Sequence, residues 1–309
     1  MLSFIVKRLL WGLVTMWAII TITFIIMHAV PGDPFAREGT MPEAVYQNLR
    51  SFYNLDEPLI VQYGLYLKQV AQFDFGPSLK SSTLTVNDYI EKGLPVSMQL
   101  GLQALLVAIV LGIILGVIAA YNRNKWPDYI AMVLAIIGIS VPSFILAYVL
   151  INYVAVEWRL LPVATWQTMK HTILPTISLA MLPMAFIARL MRSSMLEVLN
   201  QDYMVTAKSK GLNRGLILLK YGLKNAILPV ITVLGIIAAN LVTGSFIIES
   251  IFGVPGIGEM FVKGIFNRDY PVILGSTIFY SVFLIGLVLV VDIAYTFIDP
   301  RIKLTGESK

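Results

Sequence analysis

Leu100-Gly-Leu-Gln-Ala-Leu-Leu-Val-Ala-Ile-Val-Leu-Gly-Ile-Ile-Leu-Gly-Val-Ile-Ala-Ala120 runs for 21 residues without a charged side chain. At about 1.5 Å of rise per residue, a helix of that length spans about 30 Å, the hydrocarbon thickness of a bilayer. Working outward, five more charge-free windows of similar size occur: Leu9–Val30, Tyr129–Val156, Thr172–Ala188, Ala226–Ile248 and Pro271–Val291. Together they predict six membrane helices. Thr172–Ala188 is the shortest and contains Pro175 and Pro183. Prolines are tolerated in membrane helices where neighbours re-satisfy the freed backbone groups.

Composition agrees with this fold class. The 309 residues are 57% hydrophobic and only 13% charged, where a soluble domain carries about 25% charged residues. Mean hydropathy is +0.78. There is no cysteine, which excludes a disulfide-stapled scaffold, a thiolate metal site and a thiol nucleophile.

Lys7 and Arg8 precede the first window, as in a signal peptide. Its 22 apolar residues exceed a typical signal core of about 7–15, and no small-residue cleavage site follows. We read a retained helix. With the N-terminus in the cytoplasm, 14 of the 23 Lys and Arg fall in inside segments, giving +9 there and −3 outside. That asymmetry orients the chain with both termini inside, and with the −1 of Asp292 in the sixth helix it accounts for the +5 net charge without a nucleic-acid partner. Residues 31–97 then form a long outside segment, and residues 189–225 the one long cytoplasmic loop. The expected organisation is residues 1–30 (N-terminus and first helix), 31–95 (outer cap), 96–299 (five-helix core with a loop at about 189–227) and 300–309 (cytoplasmic tail).

The chemistry the sequence lacks is informative. No Gly-Lys pair occurs, so there is no P-loop. Two histidines, His28 and His171, exclude the H-E-x-x-H pattern, and no G-x-S-x-G elbow is present. No catalytic, cofactor-binding or metal-ligating residue is expected. Ion coupling needs titratable groups inside the bundle; Asp292 and His28 lie near helix ends, where an interfacial role suits them. Gly112 and Gly116 fit close helix approach. Asn152 and Asn240 are expected to make interhelical hydrogen bonds.

The loop from Glu197 to Gly215 is the most informative stretch. Asn200 or Asp202 can cap a short helix that runs through Ala207 and stops at Gly211, which can adopt the left-handed C-terminal conformation. A second amphipathic segment, Leu216 to Ala226, leads to Leu228-Pro229. Such a helix–glycine–helix on a basic loop suits anionic lipid or, more sharply, a soluble partner.

This loop resembles the so-called EAA motif of the permease subunits of binding-protein-dependent ABC importers, in the oligopeptide/dipeptide branch and most like its B-type subunits. Ala207, Gly211 and Leu228-Pro229 carry the match, while Val205 and Thr206 stand where the general motif has Glu and Ala. Further matches run along nearly the whole chain: Pro31-Gly32-Asp33-Pro34, Phe75-Gly76-Pro77-Ser78, Val86-Asn87-Asp88, Pro142-Ser143-Phe144, Ala188-Arg189, Arg192-Ser193-Ser194-Met195, Gly244-Ser245, Asn267-Arg268-Asp269-Tyr270 and Asp299-Pro300-Arg301.

The resemblance implies a type I importer permease, a non-catalytic multi-pass subunit of the bacterial cell membrane. A C-type homologue would pair with it around a central path, two cytoplasmic ATPases would bind ATP and Mg, and an outside binding protein would deliver peptide. The coupling loop would comprise Asp202, Tyr203, Thr206, Ala207, Lys208, Lys210 and Gly211. Glu249, Gly253, Pro255, Gly256 and Gly258 would form an outer gate touching the binding protein, which would itself set peptide choice. Dipeptide, nickel chelate or glutathione cargo shares the same permease pattern. An ion-coupled transporter and a non-transporting membrane scaffold are the readings from other classes.

Overall fold

The structure is a computed structural model that describes residues 2–29, 43–52, 54–81, 83–211 and 213–298. Pro31-Gly32-Asp33-Pro34 and Asp299-Pro300-Arg301 lie outside the described residues, as do the side chains of Lys208 and Asp292. The described chain is nearly all helix. The order is α1 (Leu2–Ala29), α2 (Glu43–Phe52), α3 (Leu59–Ala71), α4 (Val86–Tyr121), α5 (Trp126–Ser140), α6 (Ser143–Leu150) prolonged by a π-helical turn (Ile151–Glu157), and α7 (Met169–Leu199). There follow α8 (Asp202–Ser209), α9 (Arg214–Leu216), a second π-helical turn (Ile217–Leu223), α10 (Lys224–Ala226), α11 (Leu228–Val242), α12 (Phe246–Phe252), α13 (Ile257–Asn267) and α14 (Tyr270–Ile298).

Four helices contain stretches long and apolar enough to cross a bilayer: Val6–Ala29, Val86–Tyr121, Met169–Leu199 and Tyr270–Val291. Two bent pairs bring the number to six if each pair is one span. Trp126–Ser140 meets Ser143–Glu157 at 107°, and Ile217–Ala226 meets Leu228–Val242 at 52°. Large side chains such as Trp11, Trp17, Ile25, Leu106, Ile136 and Val290 stand exposed along these helices. On a water-facing globule such a surface would be an aggregation liability; against lipid it is matched.

Two windows differ from simple rods. The third, Tyr129–Val156, breaks at Val141-Pro142, where Val141 is extended (φ −89°, ψ 118°). Proline has no N–H to give and pushes its predecessor out of helical geometry. The fifth, Ala226–Ile248, holds α11 only to Val242; Gly244 then turns the chain at φ 97° and α12 begins. Pro175 and Pro183, by contrast, sit inside α7 without ending it.

The chain divides into two compact units. The first gathers the described residues up to Pro95 and Gly256–Gly286. Its core is Phe24, Tyr66, Phe75, Val86, Ile90, Ile257, Val272 and Ile278. Here the quoted stretches Phe75-Gly76-Pro77-Ser78, Val86-Asn87-Asp88 and Asn267-Arg268-Asp269-Tyr270 come together. Ser78 Oγ donates to the Asp269 carboxylate, and Leu79 N–H donates to Asp269 Oδ1 at 3.1 Å. Asn87 bridges the chain by accepting from Phe75 N–H at 3.0 Å and donating to the Phe73 carbonyl at 2.7 Å.

The second unit gathers Val96–Pro255 and the described residues from Leu287. Its core packs the inner part of α4 on α7 through Ala104, Ala108, Ile187, Met191 and Met195. Close approach is set by glycines. A Cβ on Gly112 would fall 2.8 Å from Ile187, and one on Gly116 would fall 2.6 Å from Met191. Neither Asn152 nor Asn240 makes the expected interhelical hydrogen bond; no side-chain partner is found for either among the described residues. Asn240 instead opens into a cavity described below.

Candidate functional site

Three features of the second unit are candidate functional elements: the α8 loop, the turn after α12, and a cavity along α7.

Asn200 does not cap α8. Its Nδ2 donates back to the Leu196 carbonyl at 2.9 Å, closing the C-terminus of α7. The chain turns through Gln201, whose carbonyl accepts from Met204 N–H at 2.9 Å, and α8 begins at Asp202. Met204 and Ala207 face inward, packed on Ile217 between Leu199 and Tyr221. Asp202, Tyr203, Val205, Thr206, Ser209, Lys210 and Gly211 are exposed. Ala207 therefore seats the helix on its own chain, and the outward face is made by its neighbours. Gly211 ends the segment at φ 72°. Asn213 Oδ1 then accepts from Gly215 N–H at 2.8 Å, starting the next helical stretch as an N-terminal cap does.

Two residues outside the coupling set expected from the sequence lie here. Val205 leaves 56% of its surface exposed at the middle of the outward face. Asn225 donates to Tyr203 Oη at 3.3 Å and to the Tyr221 carbonyl at 2.9 Å, tying α8 to the following stretch. The β-branched apolar residue at a position usually acidic was a visible signal. The Asn225 contact, 22 residues away in the chain, was not.

Ser245 caps α12, its Oγ accepting from Ile248 N–H at 3.3 Å. Glu249 is fully buried. Its Oε1 accepts from Ser245 N–H at 3.0 Å and its Oε2 from Ser97 Oγ at 3.1 Å. Gly253, at φ 58°, closes the helix. The N–H of Val254 reaches the Glu249 carbonyl at 2.9 Å, and Gly253 N–H reaches the Ser250 carbonyl at 3.4 Å. This double bond pattern is the Schellman closure. Thr165 N–H covers the Phe252 carbonyl at 2.9 Å. Pro255 is exposed and Gly253 half-buried. Gly256 and Gly258, in the first unit, are buried, and Gly93 of α4 lies against the Gly256-Ile257 backbone so closely that its Cβ would come within 2.9 Å of Ile257 N.

The cavity encloses about 840 Å³ between α7, α11 and the broken third span. Leu182, Phe186, Arg189 and Ser193 recur at intervals of three or four, so one face of α7 forms its wall. Asn240 and Ile237 come from α11, and Ser143 from the start of α6.

Comparison with known proteins places the chain in a family. Residues 112–304 match the family described as binding-protein-dependent transport system inner membrane component, and residues 1–82 match its N-terminal part. The chain is 53% identical over 304 residues to the dipeptide transport system permease protein DppB of Bacillus subtilis, covering 98% of this chain and 99% of that one. It is 45% identical to the oligopeptide transport system permease protein OppB of Haemophilus influenzae, covering 98% and 100%. Among solved structures, an inward-facing MetNI methionine ABC transporter matches with a TM-score of 0.56 at 19% identity, over 69% of this chain and 96% of that one. An amino acid ABC transporter matches at 0.52 and 15%, over 67% and 93%. These structural matches show the fold, that of a type I importer permease.

Proposed function

Since this chain belongs to the binding-protein-dependent transport system inner membrane components, we propose that it forms half of the translocation path of an ATP-driven oligopeptide importer. Its termini lie in the cytoplasm, and α8 docks in a cleft of one of two cytoplasmic ATPases, which bind the ATP and Mg. A homologous C-type permease completes the path. An extracytoplasmic binding protein delivers peptide at the turn around Pro255. The chain itself carries out no catalysis.

The observation that supports this most is the outward face of α8. Tyr203, Val205 and Thr206 stand exposed on a short helix, with Lys210 exposed just after it, and the helix's inner face, Met204 and Ala207, is seated on its own chain. An exposed apolar residue with polar neighbours on a helix held from behind is what a partner's cleft needs. Nucleotide-driven movement of the ATPase pair then pulls this helix, biasing the bundle between inward-open and outward-open states.

The test is uptake by the complete complex in proteoliposomes. Labelled peptide should accumulate only with internal ATP and external binding protein. Uptake that persists without ATP and collapses with an ion gradient would favour a secondary transporter. Absence of any substrate-stimulated ATPase activity would favour a scaffold.

A further inference from the structure

Helix α7 carries two arginines one turn apart, and only one is answered among the described residues. Arg192 is paired with Asp128. Arg189 is exposed, and no ion pair or hydrogen bond reaches it among the described residues. It lies ten residues before the end of α7 at Leu199, about 15 Å in at 1.5 Å per residue. In the sequence Arg189 opens the expected cytoplasmic loop; α7 instead runs on to Leu199, so Arg189 stands on the helix of the fourth span, and arginines in such helices mark pathways or pair with a specific partner.

Arg189 faces the 840 Å³ cavity, a volume within the usual range of ligand sites. The polar groups around it share one property. Ser143, Ser193 and Asn240 make no side-chain hydrogen bond among the described residues. Several other hydroxyls in the spans bond to their own helix, though Thr176 Oγ1 donates across to Gln103 at 3.2 Å and Ser276 Oγ is buried without a partner among the described residues. Ser178 donates to Leu174 O at 2.9 Å, Thr243 to Ala239 O at 3.0 Å and Thr277 to Ile273 O at 2.7 Å. Back-bonding is the ordinary resting state of a hydroxyl in a membrane helix. The cavity thus presents one guanidinium, two hydroxyls and one amide with their capacity unspent, on walls that are otherwise mostly apolar.

We propose that Arg189 anchors the free C-terminal carboxylate of the peptide cargo, with Ser193 and Asn240 offering hydrogen bonds to its amide groups. The inference rests on the peptide-importer reading above. The carboxylate is what every peptide shares whatever its side chains, and a guanidinium grips it with two parallel hydrogen bonds. One such anchor on apolar walls holds cargo without reading its sequence. The wall from Leu179 to Ser193 runs about 21 Å along α7, room for about six extended residues at 3.3–3.6 Å each. A lipid phosphate or a carboxylate of a neighbouring subunit offers the same anionic chemistry, and the test separates them.

The complete complex, in vesicles with and without anionic lipid, is given tri-alanine and its C-terminal amide at concentrations that fill the binding protein equally. Wild type should import the free acid about tenfold faster than the amide in both lipids. Arg189→Gln should slow the acid about tenfold, to the amide rate, and leave the amide unchanged, while Arg189→Lys keeps part of the preference. If Arg189→Gln imports both peptides at wild-type rates or loses both equally, the anchor is refuted. A defect in Arg189→Gln that mirrors removal of anionic lipid, or failure of the variant to co-purify with the second permease, assigns the guanidinium to lipid or to the neighbouring subunit and overturns the proposal. Wild-type failure to import either peptide would overturn the peptide-importer reading itself, independently of Arg189.

Discussion

The guanidinium of Arg192 meets both oxygens of the Asp128 carboxylate, Nε to Oδ1 at 2.6 Å and Nη2 to Oδ2 at 2.7 Å. Asp128 also accepts from Asn124 N–H at 3.0 Å, so the same carboxylate fixes the turn before α5 and pins the start of α5 to α7. Its side chain is only 3% exposed, that of Arg192 25%.

Asp128→Asn should therefore cost more than a surface ion pair. Removing one partner of a buried pair costs about 3–5 kcal/mol because a charge is stranded; the partial exposure of Arg192 reduces this to about 2–3 kcal/mol. The midpoint of thermal unfolding in detergent should fall, and Asp128→Asn combined with Arg192→Met should recover much of the loss. An unchanged midpoint for the single variant would show that the pair does not hold these helices.

Gly101 and Gly64 form a matched contrast. A Cβ on Gly101 would fall 2.2 Å from the Leu241 carbonyl oxygen and 2.7 Å from Val242 Cα, both backbone atoms that cannot step aside. Gly101→Ala should lower stability by at least about 1–3 kcal/mol, the usual range for overpacking. Gly64, in α3, has nothing within 4 Å, and Gly64→Ala should raise stability by up to about 1 kcal/mol through helix propensity. Thermal unfolding of the two variants side by side checks both signs.

At Gly211 the conformation matters and space does not. Its φ is 72° and no atom lies within 4 Å of a built Cβ. Gly211→Val should cost about 1–2 kcal/mol of backbone strain and redirect the chain after α8. Asn tolerates that conformation, so Gly211→Asn should be mild. Substrate-stimulated ATPase activity of the assembled complex is the measurement, with Val impaired and Asn near wild type; equal activity in both would remove the coupling role.

Val205 and Ala207 should fail differently. Val205→Asp puts a charge on the exposed face and should cut co-purification of the ATPase while leaving the permease as stable as before. Ala207→Asp buries a charge against Met204 and Ile217, and it should loosen α8 first. Limited proteolysis of the permease alone should tell them apart, cutting near α8 only in Ala207→Asp.

The cysteine-free sequence makes topology directly readable. Single cysteines at Lys125 and Ser209 should react with an impermeant maleimide only after the membrane is opened, and those at Lys80, Thr165 and Lys263 in intact cells. A protected Lys80 site would contradict the six-span orientation.

The candidate spans were legible because charge-free windows of about 20 residues have few other uses; four of the six windows appear as single long helices and two as bent pairs. Their shapes were not. Pro142 breaks the third span whereas Pro95, Pro175 and Pro183 lie within continuous helices. The residue type is the same, and the outcome depends on whether packed neighbours hold the ladder together around it. The α8 loop was legible in extent, since Gly211 marks its end. Which of its residues face outward was not, because the helix is only two turns long and Ile217, the residue that buries Ala207, lies beyond it. Ser78 and Asp269 were each noticed in the sequence, but 191 residues apart nothing suggested that they touch.

The buried Glu249 gives the turn after α12 a mechanical character. Ser97 and Gly101 are one turn apart on α4; the first holds the carboxylate and the second abuts the backbone of Leu241 and Val242. With the Schellman closure at Gly253, the residues from Leu241 to Val254 are fastened to one stretch of helix. The tip at Pro255 is thus less a hinged flap than the head of a stiff pushrod. From Ser97 to Tyr121, α4 runs about 36 Å without a break, so a displacement entering at its far end arrives at that tip with little of it absorbed on the way.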